Sequence, residues 1–191
     1  MRRRVLWISM ALLPFVSLFA QERPIDIQRS TITVHVGKSG LLSGAAHNHI
    51  IKAPIASGTM RESAPPHIEF TVETAKMTVE PDPRIDAKDQ ATIQMHMEEL
   101  TLETKKYPEI AFHSSRVERI ADGQWKVDGD LSLHGVTKPV SLMVKQTGDS
   151  WATHAVLKQT DFGIKPISIG GGMIKVKDEI EIDFQIFPAK P

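Results

Sequence analysis

Cysteine is missing from all 191 residues. Lipoprotein processing is therefore excluded, no disulfide supports the fold, and stability has to come from packing alone. An excess of either charge is missing too, with 23 Lys and Arg against 23 Asp and Glu. Arg2, Arg3 and Arg4 lie in the first twenty residues with no acid among them, so the rest of the chain is left with 20 basic against 23 acidic residues. That mildly acidic balance gives nucleic-acid binding and binding to anionic surfaces no electrostatic support. There is no internal repeat, low-complexity tract or second-domain linker. The most loop-like interior stretch is Glu80 to Arg84, with its two prolines. No G-x-S-x-G nucleophile motif occurs around Ser114, Ser115 or elsewhere, and Gly170-Gly171-Gly172 lacks the strand-loop-helix context of a phosphate cradle.

What is present begins with an export signal. Arg2 to Arg4 precede an uncharged apolar stretch from Val5 to Ala20, which is short for a bilayer span of about 20 residues. Cleavage is expected after Ala20, leaving residues 21–191 as one domain in the periplasm or secreted. Leu18 stands where a small residue is usual, so an uncleaved anchor is the alternative.

Beyond the leader the dominant signal is alternation. Ile32, Val34 and Val36 oppose Thr31, Thr33 and His35, as in a half-buried strand. The pattern returns with Ile68, Phe70 and Val72, with Ile110 and Phe112, with Trp125, Val127, Leu131 and Leu133, and with Val140, Leu142 and Val144. It is clearest where Ile180, Ile182, Phe184 and Ile186 oppose Glu179, Glu181, Asp183 and Gln185. Pro65-Pro66, Asp122-Gly123, His134-Gly135 and Thr147-Gly148-Asp149 separate the runs with turn chemistry, which predicts hairpins. The fold class expected is mainly β, an extended antiparallel up-and-down barrel whose closure removes exposed edges. One amphipathic helix is expected between Asp89 and Lys106, from the spacing of Ile93, Met97, Leu100 and Thr104, with Pro108 ending it. It would close one barrel end or edge.

Strands of this length, tilted near 40°, give a barrel about 25–30 Å tall. Such an interior can be packed solid or can hold one elongated apolar ligand. The inward row expected from alternation is Val34, Phe70, Val72, Phe112, Val127, Leu131, Leu133, Leu142, Ile182 and Phe184. Met95, Met97 and Met143 read as adaptable core. His47 and His49, two apart on a strand, share a face and raise a metal-dependent alternative. That site would need a third ligand from His35, His96, His113, His134 or His154.

The most specific string runs Gly129-Asp130-Leu131-Ser132-Leu133-His134-Gly135-Val136-Thr137-Lys138-Pro139-Val140. It reads as strand, tight turn and restart, with Pro139 tolerated at the beginning of the next strand. Its value is structural on the simplest reading, with a direct ligand role for Thr137 or Lys138 as the alternative. This string resembles the hairpin signature of the YceI-like family of lipocalin-like, polyisoprenoid-binding proteins. Lys106-Tyr107-Pro108-Glu109-Ile110-Ala111-Phe112-His113-Ser114-Ser115 is similar to that family's "KYP-x-I-x-F-x-S" segment, and Thr160-Asp161-Phe162-Gly163 to its "SDFG" corner. The chain departs from the family pattern around Gln94 to Leu100 and at Ala46-His47-Asn48-His49-Ile50.

The resemblance implies an apolar tunnel, to whose lining Phe162 is added, and a periplasmic protein. It implies no catalytic residue and no cofactor beyond a bound isoprenoid lipid, polyprenyl or quinone-like. The expected function is an exported, non-enzymatic carrier or reservoir, with transient contact to a membrane or membrane protein. A ligand-free structural or stress-related barrel is the other alternative. The sequence leaves the oligomeric state open, a dimer included.

Overall fold

The computed structural model describes residues 22–40 and 47–190; the leader and its cleavage site, and Ala46 of the histidine segment, lie outside them. Among the described residues twelve strands form one antiparallel sheet, curled into a half-barrel with a single α-helix. The wall is built from long hairpins: β7 (Glu109–Ala121), β8 (Gln124–Leu133), β9 (Val136–Thr147) and β10 (Ser150–Lys158), each following the last. Their turns are two residues long. At the β8–β9 turn His134 and Gly135 both have positive φ, 52° and 75°, the conformation whose twist matches that of the flanking strands. Next to β10 comes β12 (Ile174–Ile186), extended by the short β11 (Ser168–Ile169), and then β2 (Thr31–Ser39).

The remaining gap is covered by one bent segment. Its first half, β3 (His49–Lys52), pairs with β2, and its second half, β4 (Ile55–Arg61), pairs with β5 (His67–Glu73), which in turn pairs with β7. The switch falls at Pro54. The Ala53 N–H still donates to the Ile32 carbonyl (3.0 Å), but proline has no N–H with which to continue the ladder. β1 (Arg23–Pro24) pairs with β4, and Ile25 carries the strap across to Pro188 after β12. At the other end β6 (Thr78–Val79) pairs with β3. The expected antiparallel barrel is therefore present, but β1, β3, β4 and β6 depart from simple up-and-down order. Closure is also incomplete: β9 and β10 pair only through Ser150–Ala152 and Lys145–Thr147.

The helix is shorter and more polar than its spacing suggested. α1 covers Ala87–His96, and a π-helical turn, Met97–Thr101, ends it well before Lys106. No residue of α1 is fully buried; Ile93 packs partly on the core, Met97 is buried, and Leu100 is 59% exposed. Glutamines rather than an apolar stripe dock the helix on β6. Gln94 Oε1 accepts from the buried Val79 N–H (2.8 Å) while its Nε2 donates to the Met77 carbonyl (2.9 Å), and Gln90 Nε2 donates to the Val79 and Glu80 carbonyls. The side chains thus satisfy a sheet edge that periodicity could not reveal. Gln94→Met, close in length and volume but without the amide, leaves a buried N–H and C=O unpaired and is expected to cost about 2 kcal/mol. Urea denaturation measures this as a lower midpoint at unchanged slope.

Candidate ligand-binding site

The inner faces of the strands surround an elongated cavity of about 770 Å³, within the roughly 300–1,000 Å³ typical of ligand sites. It runs from the helix side, where β2 ends and β12 begins, to the β7–β8 and β9–β10 turns at the opposite end. Val34 of β2, Phe70 and Val72 of β5, Phe112 of β7, Val127, Leu131 and Leu133 of β8, Leu142 of β9, and Ile182 and Phe184 of β12 all line it. Phe70 stacks at 5.5 Å from Phe112 and 6.2 Å from Phe184, so three strands share one aromatic cluster. Phe162 does not belong to this lining. The 3-10 turn Gln159–Phe162 that ends β10 carries its ring, only 2% exposed, into the packed layer instead of the hollow.

Alternation missed the inner row of β10, which is Trp151, Thr153, Ala155 and Leu157. The period is two, but small or polar Thr153 and Ala155 face in while Val156 faces out, so hydrophobicity gave no contrast. Trp151 and Trp125 meet at 5.0 Å near the β9–β10 turn, and the Trp125 indole N–H donates to Gln146 Oε1 (3.1 Å). Of the three methionines expected in the core only Met97 is buried; Met95 and Met143 are 45% and 58% exposed, since α1 turns the first outward and β9 the second.

The helix end is polar. Lys38, His47, His49, Arg84, Asp86, Asp89, His96 and Lys175 contribute to the cavity there. Burial is the main cause that holds the His49 pKa below that of a free imidazole; the nearby His47 adds to the effect and Asp82 opposes it. Arg84 takes Asp82, donating to both carboxylate oxygens and holding that carboxyl well below the usual range. His47 Nδ1 stands 3.8 Å from the same carboxylate.

Four of the other histidines are committed elsewhere, while His96 shares the cavity end with His47 and His49. His35 and His154 both hydrogen-bond Asp183 on the outer surface, at 2.9 and 2.8 Å, and His113 bonds Glu69 at 3.1 Å. His134 bonds Glu103 at 2.9 Å. Among the described residues no three His, Cys, Asp or Glu side chains are placed to hold a metal ion, so the centre imagined around His47 and His49 finds no third ligand.

The three sequence strings converge on one structural corner. Tyr107 stacks on His134 at 4.2 Å, Gly135 leaves the space that Tyr107 fills, and Gly163, at φ 73°, sits beside His134 and Val136. Thr137 bonds Ser132 across the hairpin (2.7 Å) and Lys138 reaches Asp161 (3.4 Å), and neither lines the cavity. Pro139 is not at the beginning of its strand but three residues inside β9. It is tolerated because that stretch has no ladder with β10.

Fold and cavity together define a small-ligand binding domain of the curled antiparallel β class. The YceI-like domain profile matches residues 24–187, and the chain belongs to that family. A UPF0312 protein of Pseudomonas putida strain W619 is 40% identical over 74 residues, covering 34% of this chain and 38% of that protein. YceI of Escherichia coli O157:H7 is 39% identical over 74 residues with the same coverage. The chain thus aligns with well under half the length of these curated relatives. Among solved structures, Burkholderia cenocepacia BcnA superposes with a TM-score of 0.63 at 16% identity, covering 87% of this chain and 99% of that one. A polyisoprenoid binding domain from Saccharophagus degradans, implicated in plant cell wall breakdown, superposes with a TM-score of 0.59 at 14% identity, over 88% and 98%. At these identities the likeness is one of fold.

Proposed function

We propose that this protein is an exported, non-enzymatic binding protein that holds an isoprenoid or similar long-chain apolar lipid, polyprenyl or quinone-like, inside the barrel as a carrier or reservoir. The observation that carries the reading is the long cavity of about 770 Å³, walled by Val, Leu, Ile and Phe from nine strands. The Saccharophagus degradans domain of the same fold, described as polyisoprenoid-binding, supports the choice of ligand class. Gross transfer from water is worth about 0.8 kcal/mol per methylene, so a few isoprene units outweigh the cost of association. A bilayer solvates the same chain equally well, so the net preference for the protein is small. That balance suits reversible carriage, with transient contact to a membrane, in the periplasm or outside the cell. No residue is assigned a catalytic role.

The test is mass spectrometry of an organic extract of the full-length chain, expressed with its own leader and purified without detergent. A prenyl lipid near one per protein is the expected result. Repeated recovery of lipid-free protein that also takes up none from vesicles containing prenyl lipid would overturn the reading.

A further inference from the structure

The wall of the barrel is not uniformly sealed. β8 and β9 pair without a break from Gln124↔Lys145 to Leu133↔Val136, and β10 and β12 pair from Trp151↔Ile186 to Lys158↔Glu179. Between β9 and β10 the ladder stops at Ala152↔Lys145. The unpaired stretch of β10, Thr153 to Lys158, is about 20 Å long. Its end nearer the β9–β10 turn is pinned by the Thr153 hydroxyl, which donates to the Met143 carbonyl (2.8 Å). At its other end Lys138 reaches across to Asp161 (3.4 Å).

On the inner side of this slit Leu142 of β9 and Ala155 of β10 line the cavity. On the outer side lie Met143 and Val156, 58% and 55% exposed, two of the large apolar side chains that the protein leaves in water. Continued past Ala152, the same register sets His154 opposite Met143 and Ser141 opposite Val156, so at each of these rungs one apolar side chain stands on the outer lip beside the inner pair Leu142 and Ala155.

We propose that the hydrocarbon chain of the ligand enters and leaves sideways through this slit between β9 and β10, rather than along the barrel axis. The inference rests on the lipid-binding reading above. Both ends offer a poorer route, because a chain threading along the axis must pass Lys38, Arg84, Asp86, Asp89 and Lys175 at the helix end or Arg61, Glu62 and His67 at the other, and displace their hydration. A strand from another protein is a poorer occupant of the slit. Pro139 lacks the N–H that a new ladder would use, and Thr153 already occupies the Met143 carbonyl. A hydrocarbon tail asks for no backbone partner and loses nothing by either feature.

The chain has no cysteine, so paired thiols react only where they are introduced. The β9–β10 register, extended past Ala152, sets Ser141 opposite Val156. A Ser141→Cys/Val156→Cys variant would be bridged with a short bis-methanethiosulfonate reagent, whose link a reductant removes. A Glu80→Cys/Gln90→Cys variant, bridged the same way, tethers the helix instead, since Gln90 Nε2 lies 3.3 Å from the Glu80 carbonyl. The probe is all-trans-retinol, an isoprenoid alcohol that accepts excitation energy from Trp125 and Trp151, followed by stopped flow.

Bridging the slit is expected to slow both uptake and release by roughly tenfold or more, reversibly on reduction, with the affinity unchanged because the two rates fall together. Bridging the helix is expected to leave both rates as they were. A smaller effect at the slit, or the slowing appearing at the helix bridge, overturns the proposal. Thr153→Val, which unpins one end of the slit without any cross-link, is expected to speed uptake, and an unchanged rate counts against the proposal. Should the unmodified protein bind no retinol and take up no prenyl lipid, the lipid-binding reading fails and this inference with it; binding at rates indifferent to the slit overturns the slit alone.

Discussion

Gly129→Ala is expected to destabilise the protein by about 3 kcal/mol, lowering Tm by roughly 6–12 °C in a domain of this size. The cause is steric. Gly129 lies on the inner face of β8, and a Cβ there would stand 2.5 Å from the carbonyl oxygen of His113 and 2.6 Å from Cζ of Phe112. The phenyl ring, 3% exposed, lies over the glycine and anchors the aromatic cluster on the cavity wall. The ring can turn only at the expense of its packing on Phe70, and the carbonyl belongs to the β7–β8 ladder, so neither neighbour can yield cheaply. Gly148→Ala separates this effect from backbone strain. Gly148 has a φ of 60° but nothing within 4 Å of an added Cβ, so its replacement should cost only about 1–2 kcal/mol. Chemical denaturation of the two variants side by side checks the order, and a Gly129 variant no worse than the Gly148 variant would show that the β7–β8 wall is softer than its packing implies.

The same glycine shows how much could be read from the residues. Gly129 falls in phase with Trp125, Val127, Leu131 and Leu133, so strict alternation placed β8 correctly even though one inward position has no side chain. Alternation works where one face meets apolar matter and the other meets water, which holds for β2, β5, β8 and β12. It fails on β10, because its inner row faces an open hollow and tolerates Thr153 and Ala155, while its outer row carries Val156 at the lip of the slit. The helix was legible as a helix, but its docking was not. Gln90 and Gln94 meet backbone groups of a two-residue strand that is distant from them in the fold's logic, and no helical period records such a partner.

His134-Gly135 announced its turn through local chemistry alone, whereas Phe162 looked like a lining residue until the turn after β10 set its direction. The resemblance strings proved informative about fold because they meet one another at a corner, Tyr107 on His134 with Gly135 and Gly163 making room. They carry little about the ligand for the same reason. How far a ladder extends between two strands that follow each other through a tight turn depends on how the whole sheet curls, and neither strand's own residues specify it. Pro139 would have signalled a strand lacking a partner on one side, but from the sequence it reads as the beginning of the strand, and only the structure places it inside β9.

Ala155→Trp is the substitution that separates a lipid-holding barrel from a packed one. Ala155 sits midway along β10 opposite Ile182, half-buried and facing the cavity. If its neighbourhood were filled, an indole would force atoms apart and cost about 1–3 kcal/mol or more in stability. With a hollow of about 770 Å³ in front of it, the ring has somewhere to go and stability is expected to stay within about 1 kcal/mol of the parent. The penalty then falls on the ligand. An indole in mid-cavity displaces several methylenes of a bound chain, and losing about four of them, at 0.8 kcal/mol each, weakens binding by roughly 3 kcal/mol, or about a hundredfold in Kd. A chain short enough to stop before Ala155 should lose nothing, so the variant converts a length-tolerant site into a length-limited one. Competition of prenyl alcohols of increasing length against a fluorescent isoprenoid measures this, with Ala152→Trp, on the outward face of the same strand, as the matched control. Equal loss for short and long chains, or none for either, would mean that the hydrocarbon does not lie along the row that Ala155 shares with Thr153 and Leu157.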